Sequence, residues 1–264
     1  ESKLADSIHD VLVKCGAHDG MTVSFHHHFR DGDKVVNMVM EEIHKMGLKD
    51  ITICASSLGK AHAPLVPMIE DGTVTNIESS GVRGAIGEAI SQGKLKGLAI
   101  MRSHGGRIRA IITGEAHIHA DKAAAITGCL VPFPNYPAHI PMQRVDYVCV
   151  VDEIGDPAKI ATGAAKPTTD QRKLLMAEYC TQVVANTPYF KDGLSYQTGV
   201  GGASIASTIS LTKIMEDRGI KMGFGVGGLT KPMCDLLERG MVRCLLDTQD
   251  FDLDAIKNVK NPNH

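Results

Sequence analysis

The segment Asp192–Ser207, DGLSYQTGVGGASIAS, decides the fold because it contains a short strand, a glycine turn and the first turn of a helix. Leu194–Gln197 supplies the β-forming residues, and Gly199, Gly201 and Gly202 supply the turn. This order is typical of α/β proteins, in which a helix carries the chain back to the next parallel strand. The segment therefore predicts a parallel sheet covered by helices.

A related frame occurs upstream at Asp19–Arg30, DGMTVSFHHHFR. The distance from Asp19 to a later Gly-Leu-Lys is 28 residues, and the distance from Asp192 to a later Gly-Ile-Lys is 27 residues. Such a repeat indicates two copies of one supersecondary unit. The fold class predicted from it is α/β, with two related parallel-sheet units that each have a loop at the carboxyl end of the first strand.

The proline-rich segment Val131–Pro141 is predicted to be a linker or covering loop, because four prolines exclude a regular helix or central strand. The first unit is accordingly predicted at 1–141 and the second at 142–264. Apolar periodicity predicts the following elements. They are helix Leu4–Cys15, strand Met21–Phe25, helix Val35–Met46, strands Ile51–Ala55, Val74–Ile77, Leu98–Met101 and Val145–Val151, helix Gln171–Asn186, strand Leu194–Gln197, and helices Ala203–Arg218 and Pro232–Arg239.

The composition is that of a globular protein. In 264 residues, 43% are hydrophobic, 22% are charged and the net charge is −2. Lysine and arginine form no basic tract, which argues against nucleic acid as a partner. No apolar run approaches the ~20 residues needed to cross a bilayer, and the first residues have no signal-peptide pattern. The seven cysteines stand singly, which indicates reduced thiols and a cytoplasmic location.

The glycines of 199–202 are the first candidate site. Their backbone amides, at the start of a helix, could bind phosphate or a developing oxyanion. The segment is not a P-loop, because no Gly-Lys-Ser/Thr follows, and it is not a dinucleotide fingerprint, because Ile205 replaces the third glycine. The alternative interpretation is a turn needed only for close strand-to-helix packing.

Histidines and arginines after two predicted strands form the second candidate site. On an extended chain only His26 and His28 of the His26–His28 run share a face. No carboxylate or cysteine stands at ligand spacing, so no metal site is expected, and these histidines are predicted to line a polar cleft or the surface. Arg30 and Arg107 are candidates for binding carboxylates through two hydrogen bonds each. The alternative is that they are solvated surface charges.

Several longer stretches together carry a family resemblance. They are DGMTVSFHHHFRDGDKVVNMVM (19–40), SSLGKAHAPLV (56–66), VTNIESSGVRG (74–84), MRSHGGRIRA (101–110), DYVCVVDEIGDPAKI (146–160), SYQTGVGGAS (195–204), DTQDFD (247–252) and NPNH (261–264). They closely resemble the bacterial citrate lyase α subunits, which are citrate:acyl-carrier-protein transferases. The resemblance runs through nearly the whole chain and is more specific than any single glycine motif.

The resemblance implies a fold of the CoA-transferase (NagB/RpiA-like) type and a thioester exchange. Citrate displaces acetate from an acetyl thioester on the acyl-carrier (γ) subunit, through an acyl–citrate anhydride, and the lyase (β) subunit then cleaves the citryl thioester to oxaloacetate. The carrier's arm is a CoA-derived phosphoribosyl-dephospho-CoA prosthetic group, so this chain itself is expected to hold no covalent cofactor. A homo-oligomer within a multi-subunit complex is expected.

The same resemblance implies roles for individual residues. The amides of Gly199, Gly201 and Gly202, or of Gly105 and Gly106, would stabilise the oxyanion. The residues expected to bind citrate and the thioester substrate are His26, His28, Arg30, Ser103, His104, Gly105, Gly106 and Arg107.

Two departures from the family pattern accompany the resemblance. After His119 the family continues through a strand and a Gly/Asn/Ser-rich segment, whereas here Ala120-Asp121-Lys122 follows directly, and the family has most of a second unit beyond NPNH. The second unit is therefore expected to be incomplete in this chain. The rival interpretations are an acetate or short-chain acyl CoA transferase that uses free CoA, and a non-catalytic α/β scaffold of a lyase complex.

Overall fold

A computed structural model describes residues 2–26, 29–102, 121–128, 130, 142–159 and 166–264. It is a mixed α/β structure with parallel sheets, and its contacts divide it into two compact units, Glu1–Asp156 and Pro157–His264. None of the helices in these ranges is both long enough and apolar enough to cross a bilayer.

The first unit has two parallel sheets. Its elements in chain order are β1 (Leu4–Ala5), α1 (Ile8–Lys14), β2 (Thr22–Phe25), α2 (Val35–Lys45), β3 (Ile51–Ala55), α3 (Val66–Glu70), β4 (Val74–Ser79), α4 (Gly84–Ser91), β5 (Ala99–Met101), β6 (Ala124–Thr127) and β7 (Tyr147–Val150). Short 3-10 turns occur at Arg30–Gly32, Lys60–Leu65, Met142–Arg144 and Pro157–Lys159, the last of these in the second unit. The larger sheet has the strand order β2-β3-β4-β5, and the smaller has the order β1-β7-β6.

Helix α2 shows how the sequence pattern produces the packing of the larger sheet. Val36, Val39, Met40 and Ile43 recur at helical spacing and are at most 7% exposed, so one face of α2 is buried. They pack in one cluster with the buried side chains of β3, including Ile51. Because parallel strands need such crossover helices, this arrangement places the carboxyl ends of β2 to β5 at one edge of the sheet.

The ends of the first unit differ from the sequence predictions. The helix predicted at Leu4–Cys15 begins only at Ile8, because Leu4 and Ala5 pair with β7 as a short strand and Ser7 caps α1 by accepting the Asp10 N–H. The compact units divide after Asp156 rather than after residue 141, because β7 pairs with β1 and β6 inside the first unit. The segment 131–141, predicted as a linker, lies outside the described residues.

The second unit has one parallel sheet. Its elements are α5 (Gln171–Ala185), β8 (Leu194–Gln197), α6 (Gly202–Arg218), β9 (Met222–Leu229), α7 (Lys231–Glu238), β10 (Val242–Asp250) and α8 (Leu253–Asn258). The strand order is β10-β9-β8. Asp170 caps α5 by accepting the Lys173 N–H at 3.0 Å. Leu211 and Met215 of α6 are fully buried against the apolar side chains of β9 and α7.

Two cysteines of the second unit are expected to differ sharply in reactivity. Cys234 on α7 is 4% exposed, and burial raises the pKa of its thiol to about 12, whereas Cys180 on α5 is exposed. Since the thiolate is the reactive form, iodoacetamide at pH 8 should alkylate Cys180 while Cys234 in the folded protein stays unmodified. Peptide mass spectrometry over a time course measures both. Equal rates for the two thiols in folded protein would contradict the burial described.

Candidate active site

Of the site residues predicted in the first unit, the structure describes His26 and Arg30, and both follow β2 at the carboxyl edge of the larger sheet. His26 directly follows β2 and is exposed, and Arg30 lies in the 3-10 turn behind it. Arg102 directly follows β5. The predicted residues His28, Ser103, His104, Gly105, Gly106 and Arg107 lie outside the described residues, as do His27, His117 and His119. The structure therefore tests the position of only His26 and Arg30 among these predicted residues.

Arg30 has an unusual backbone. Its φ of +53° lies in the left-handed region, where a side chain other than glycine, asparagine or aspartate is uncommon. Partial burial lowers the pKa of its guanidinium, Asp31 opposes that effect, and the nearby charge of Arg83 adds to it. A strained cation with a second cation close by is an arrangement that favours binding of an anion.

A buried Asp33–His62 pair holds the turn that carries Arg30. The side chains of His62 and Asp33 are 1% and 0% exposed, and His62 Nε2 lies 3.1 Å from Asp33 Oδ2. The Gly59 N–H donates to His62 Nδ1 at 3.0 Å, so Nδ1 is the acceptor nitrogen and Nε2 carries the proton that points to Asp33. The same Asp33 oxygen accepts the Val36 N–H at 3.2 Å. The loops after β2 and β3 are thus locked to each other.

A second contact holds the Arg30 turn from the other side. The Asp156 N–H donates to the Gly32 carbonyl at 2.9 Å, and Asp33 forms an antiparallel bridge with Gly155. A Cβ atom on Gly155 would lie 2.5 Å from the Phe29 ring, so only glycine allows this approach. The position of Arg30 is therefore fixed on both sides by the first unit itself.

Glu78 and Arg102 form an ion pair at the same edge. Arg102 Nε lies 3.2 Å from Glu78 Oε1, and the side chains are 26% and 13% exposed. The Arg102 N–H donates to the Ser79 carbonyl at 3.0 Å. This ion pair and the backbone hydrogen bond hold Arg102 beside the end of β4.

A shallow groove begins close to these residues. It has a volume of ≈ 480 Å³ and is lined by Val82, Arg83, Gly84, Gly87, Glu88, Ser91 and Gln92. It follows α4 away from the sheet edge. Gly84 and Gly87 have no side chains that would fill the groove. Arg83 contributes a positive charge at its start.

In the second unit, the glycine segment joins β8 to α6 as the sequence predicts. Gly201 is the N-cap residue of α6, with φ −73° and ψ 153°, and no side chain of the described residues caps this helix end. Gly199 and Gly201 are exposed, and Gly202 is partly buried. Within the described ranges, the first amides of this 17-residue helix therefore have no capping carboxylate or hydroxyl.

Gly202 is required by its surroundings. A Cβ atom there would lie 2.9 Å from the Lys166 carbonyl oxygen and 3.1 Å from the Thr168 nitrogen. The Thr168 N–H donates to the Gly202 carbonyl at 3.1 Å, so the segment before α5 packs directly on the turn. Only a residue without a side chain allows this backbone-to-backbone contact.

Hydroxyl groups support the turn from behind. The Thr198 and Thr208 hydroxyl oxygens are 2.8 Å apart, and they lie 3.3 and 3.0 Å from the Ser204 carbonyl oxygen. The Tyr196 hydroxyl lies 3.2 Å from that of Thr208. This network ties β8 to the first two turns of α6 and fixes the direction in which the turn's amides point.

Comparison with known proteins gives the family. The family "Citrate lyase, alpha subunit" matches this chain in two pieces, residues 1–120 and 118–264. The chain belongs to the citrate lyase alpha subunit family. The two matched pieces overlap at residues 118–120.

Individual citrate lyase alpha chains are similar throughout. Those of Klebsiella pneumoniae and Escherichia coli are each 41% identical over 301 aligned positions, covering 100% of this chain and 59% of the relative. A solved structure from Streptococcus mutans, described as a citrate lyase alpha subunit in complex with citrate, has 43% identity and a TM-score of 0.89. The alignment with that structure covers 100% of this chain and 59% of the Streptococcus mutans chain. The chain thus spans less than two thirds of the length of these citrate lyase alpha relatives.

A more distant neighbour shows how far the fold extends beyond citrate lyase alpha chains. The alpha subunit of a malonate decarboxylase from Acinetobacter baumannii has a TM-score of 0.63 at 16% identity, over 95% of this chain and 52% of its own. At that identity the likeness concerns the fold alone.

Three groups of residues near the strand ends were not selected from the sequence. The Asp33–His62 pair joins positions far apart in sequence, and only the fold brings Glu78 beside Arg102. Asp247, Asp250 and His264 come together at the end of β10. In the sequence, only two aspartates three residues apart and a later histidine indicate this group.

Proposed function

We propose that this chain acts in citrate lyase as the citrate:acyl-carrier-protein transferase, which exchanges acetate for citrate on a thioester. The observation that carries the proposal is the match of a citrate lyase alpha family along the whole chain. The similarity to an alpha subunit in complex with citrate supports citrate as the substrate. We further propose that the two compact units, which divide after Asp156, are related units of the CoA-transferase type.

The proposed reaction proceeds through an anhydride. A citrate carboxylate oxygen attacks the acetyl thioester carbonyl, and the resulting tetrahedral oxyanion collapses with loss of the carrier's thiolate. The thiolate then attacks the citryl carbonyl of the acetyl–citryl anhydride and expels acetate. Each step forms one bond to a carbonyl carbon and breaks one, so no oxidant, reductant or net proton is needed.

Each unit has a proposed role of its own. In the second unit, the amides of Gly199, Gly201 and Gly202 stabilise the oxyanion, and their exposure at an uncapped helix end supports this role. In the first unit, Arg30 and His26 bind carboxylates of citrate, together with His28, Ser103, His104, Gly105, Gly106 and Arg107. The strained, partly buried Arg30 with Arg83 nearby supports this assignment.

The proposal includes the protein's partners. A β subunit would cleave the citryl thioester, and a γ acyl-carrier subunit would supply the thioester on its phosphoribosyl-dephospho-CoA arm. That arm is a substrate for this chain. We place the complex in the cytoplasm, as a homo-oligomer of the α subunit joined to the other two.

The test is exchange of labelled acetate into the acetyl form of the acyl-carrier subunit by the purified protein in its natural length. Citrate should release the label in a 1:1 ratio with citryl carrier. Labelled acetate exchange into free acetyl-CoA, measured in parallel, separates an ordinary CoA transferase. Assembly with the β and γ subunits but no exchange with either thioester would support a scaffold and refute the proposal.

Replacing Arg30 with alanine is expected to raise the KM for citrate roughly tenfold with little change in kcat, because one charge-assisted hydrogen bond to the substrate is lost. Alanine has the same difficulty with a positive φ as arginine, so the backbone strain is not relieved and the effect isolates the guanidinium. Steady-state kinetics measures both constants. Arg172→Ala, on the exposed surface of α5, is the matched control, and an unchanged KM in Arg30→Ala would remove Arg30 from the site.

A further inference from the structure

The carboxyl end of β10 gathers two carboxylates and an imidazole. One ligand atom from each of Asp247, Asp250 and His264 lies within 4.8 Å of the others, and all three residues are partly buried. The Leu245 N–H donates to the Asn263 carbonyl at 2.7 Å, which holds the segment before His264 against the strand. Among the described residues, these three side chains form the group of histidine, cysteine, aspartate or glutamate that is close enough together to hold a metal ion.

His264 is oriented by its neighbours. Its Nδ1 lies 2.9 Å from Asn258 Oδ1, and Asn258 Nδ2 donates to Glu238 Oε1 at 2.7 Å. Because the glutamate fixes which end of the amide is the nitrogen, Asn258 presents its oxygen to the ring, and Nδ1 of His264 carries the proton. In the neutral ring, Nε2 therefore presents its lone pair to the carboxylates. A second partner that fixes the ring in this way is the usual companion of a metal-binding histidine.

The side chain of His264 is 2% exposed, and its Nε2 makes no hydrogen bond to the described residues. The nearest carboxylate oxygen, Asp247 Oδ2, is 3.7 Å away, which is too long for an N–H···O bond. Two atoms that each lie about 2.1 Å from one cation are separated by up to about 4.2 Å, so the 3.7 Å gap fits two ligands of one ion. Asp250 Oδ1 is also buried without a hydrogen bond to the described residues.

We propose that Asp247, Asp250 and His264 bind one first-row divalent cation, such as Mn²⁺, Co²⁺ or Zn²⁺. Two carboxylate oxygens and one imidazole nitrogen suit these ions, whereas the nitrogen disfavours Mg²⁺ and Ca²⁺. The ion draws the three ligands inward by a fraction of an ångström and places its charge between the lone pair of Nε2 and the carboxylates.

The experiment titrates Mn²⁺ into the EDTA-treated protein in its natural length and follows free Mn²⁺ by its electron paramagnetic resonance signal. One Mn²⁺ per chain should be taken up. Asp250→Asn and His264→Gln should each weaken binding at least about 100-fold, and Asn258→Ala, which leaves all three ligands in place, about 10- to 100-fold. Asp254→Asn removes the same charge from the neighbouring helix α8 without touching a ligand, and should bind as the unaltered protein does.

Absence of stoichiometric uptake by the unaltered protein would overturn the proposal, as would equal uptake by Asp250→Asn and His264→Gln. If those variants do not fold, as judged by circular dichroism, electron spin-echo modulation of Mn²⁺ bound to the unaltered protein decides. Coupling to an imidazole ¹⁴N supports the site, and bound Mn²⁺ without such coupling places the ion elsewhere. If a proton occupies the gap instead, Mn²⁺ is not taken up.

Discussion

Gly202→Ala is expected to lower kcat for acetate exchange roughly 100-fold or more while the protein remains folded. The new methyl group would lie 2.9 Å from the Lys166 carbonyl and 3.1 Å from the Thr168 nitrogen, so the turn must move away from both. Because an oxyanion donor acts only when it points at the developing charge, a displaced turn loses most of its effect, which is about 100- to 1000-fold for one donor. The KM for citrate should change little. Single-turnover kinetics with the acetyl carrier measures the chemical step directly.

The matched control is Gly128→Ala, since no atom of the described residues lies within 4 Å of a Cβ atom there and its φ is not positive. That variant should keep normal kinetics. A Gly202→Ala protein with an unaltered kcat and a displaced turn, as seen by hydrogen exchange at 199–204, would show that these amides stabilise no oxyanion. The proposed role of the glycine segment would then be limited to packing, which was the alternative interpretation of its sequence.

Asp33→Ala is expected to destabilise the first unit by roughly 3 kcal/mol, because it leaves the His62 Nε2–H and the Val36 N–H without their acceptor in a buried place. Both donors lie within 3.2 Å of the same aspartate oxygen. The loops after β2 and β3 should lose protection first. Hydrogen exchange followed by mass spectrometry measures this locally, which avoids assuming that two compact units unfold in a single step.

Asp31→Asn is the control for that variant. It removes a carboxylate charge from the same turn, but Asp31 is exposed. Equal protection of the loops in Asp33→Ala and Asp31→Asn would contradict the role given to the buried pair. If only Asp33→Ala loses protection of the loops, its KM for citrate should also rise, because the turn that carries Arg30 is displaced.

The regular elements could be predicted because their patterns are local. The four buried side chains of α2 stand at helical spacing, and β3 is a short apolar run, so both were predicted within one residue of their observed ends. The two-residue strand β1 was missed because its partner β7 is distant in sequence. A strand of two residues has no periodicity of its own, and only the pairing makes it one.

The candidate site could be predicted only in part, for a similar reason. Gly199, Gly201 and Gly202 form a recognisable local pattern, and the structure places them at the start of α6 as expected. The Asp33–His62 pair and the Asp247–Asp250–His264 group depend on distances that the fold creates between separate loops. Whether the predicted histidines and arginines act together stays a prediction.

The pairing of β1 with β7 has a consequence for synthesis in the cell. Leu4 pairs with Val148 in the ladder, so strand β1 finds its partner only when the ribosome has passed β7. At about 5–20 residues per second this interval lasts roughly 7–30 s. During that time the nascent chain keeps an unpaired edge, and slow codons or a stalled message before Val148 should increase its loss to proteases and chaperones.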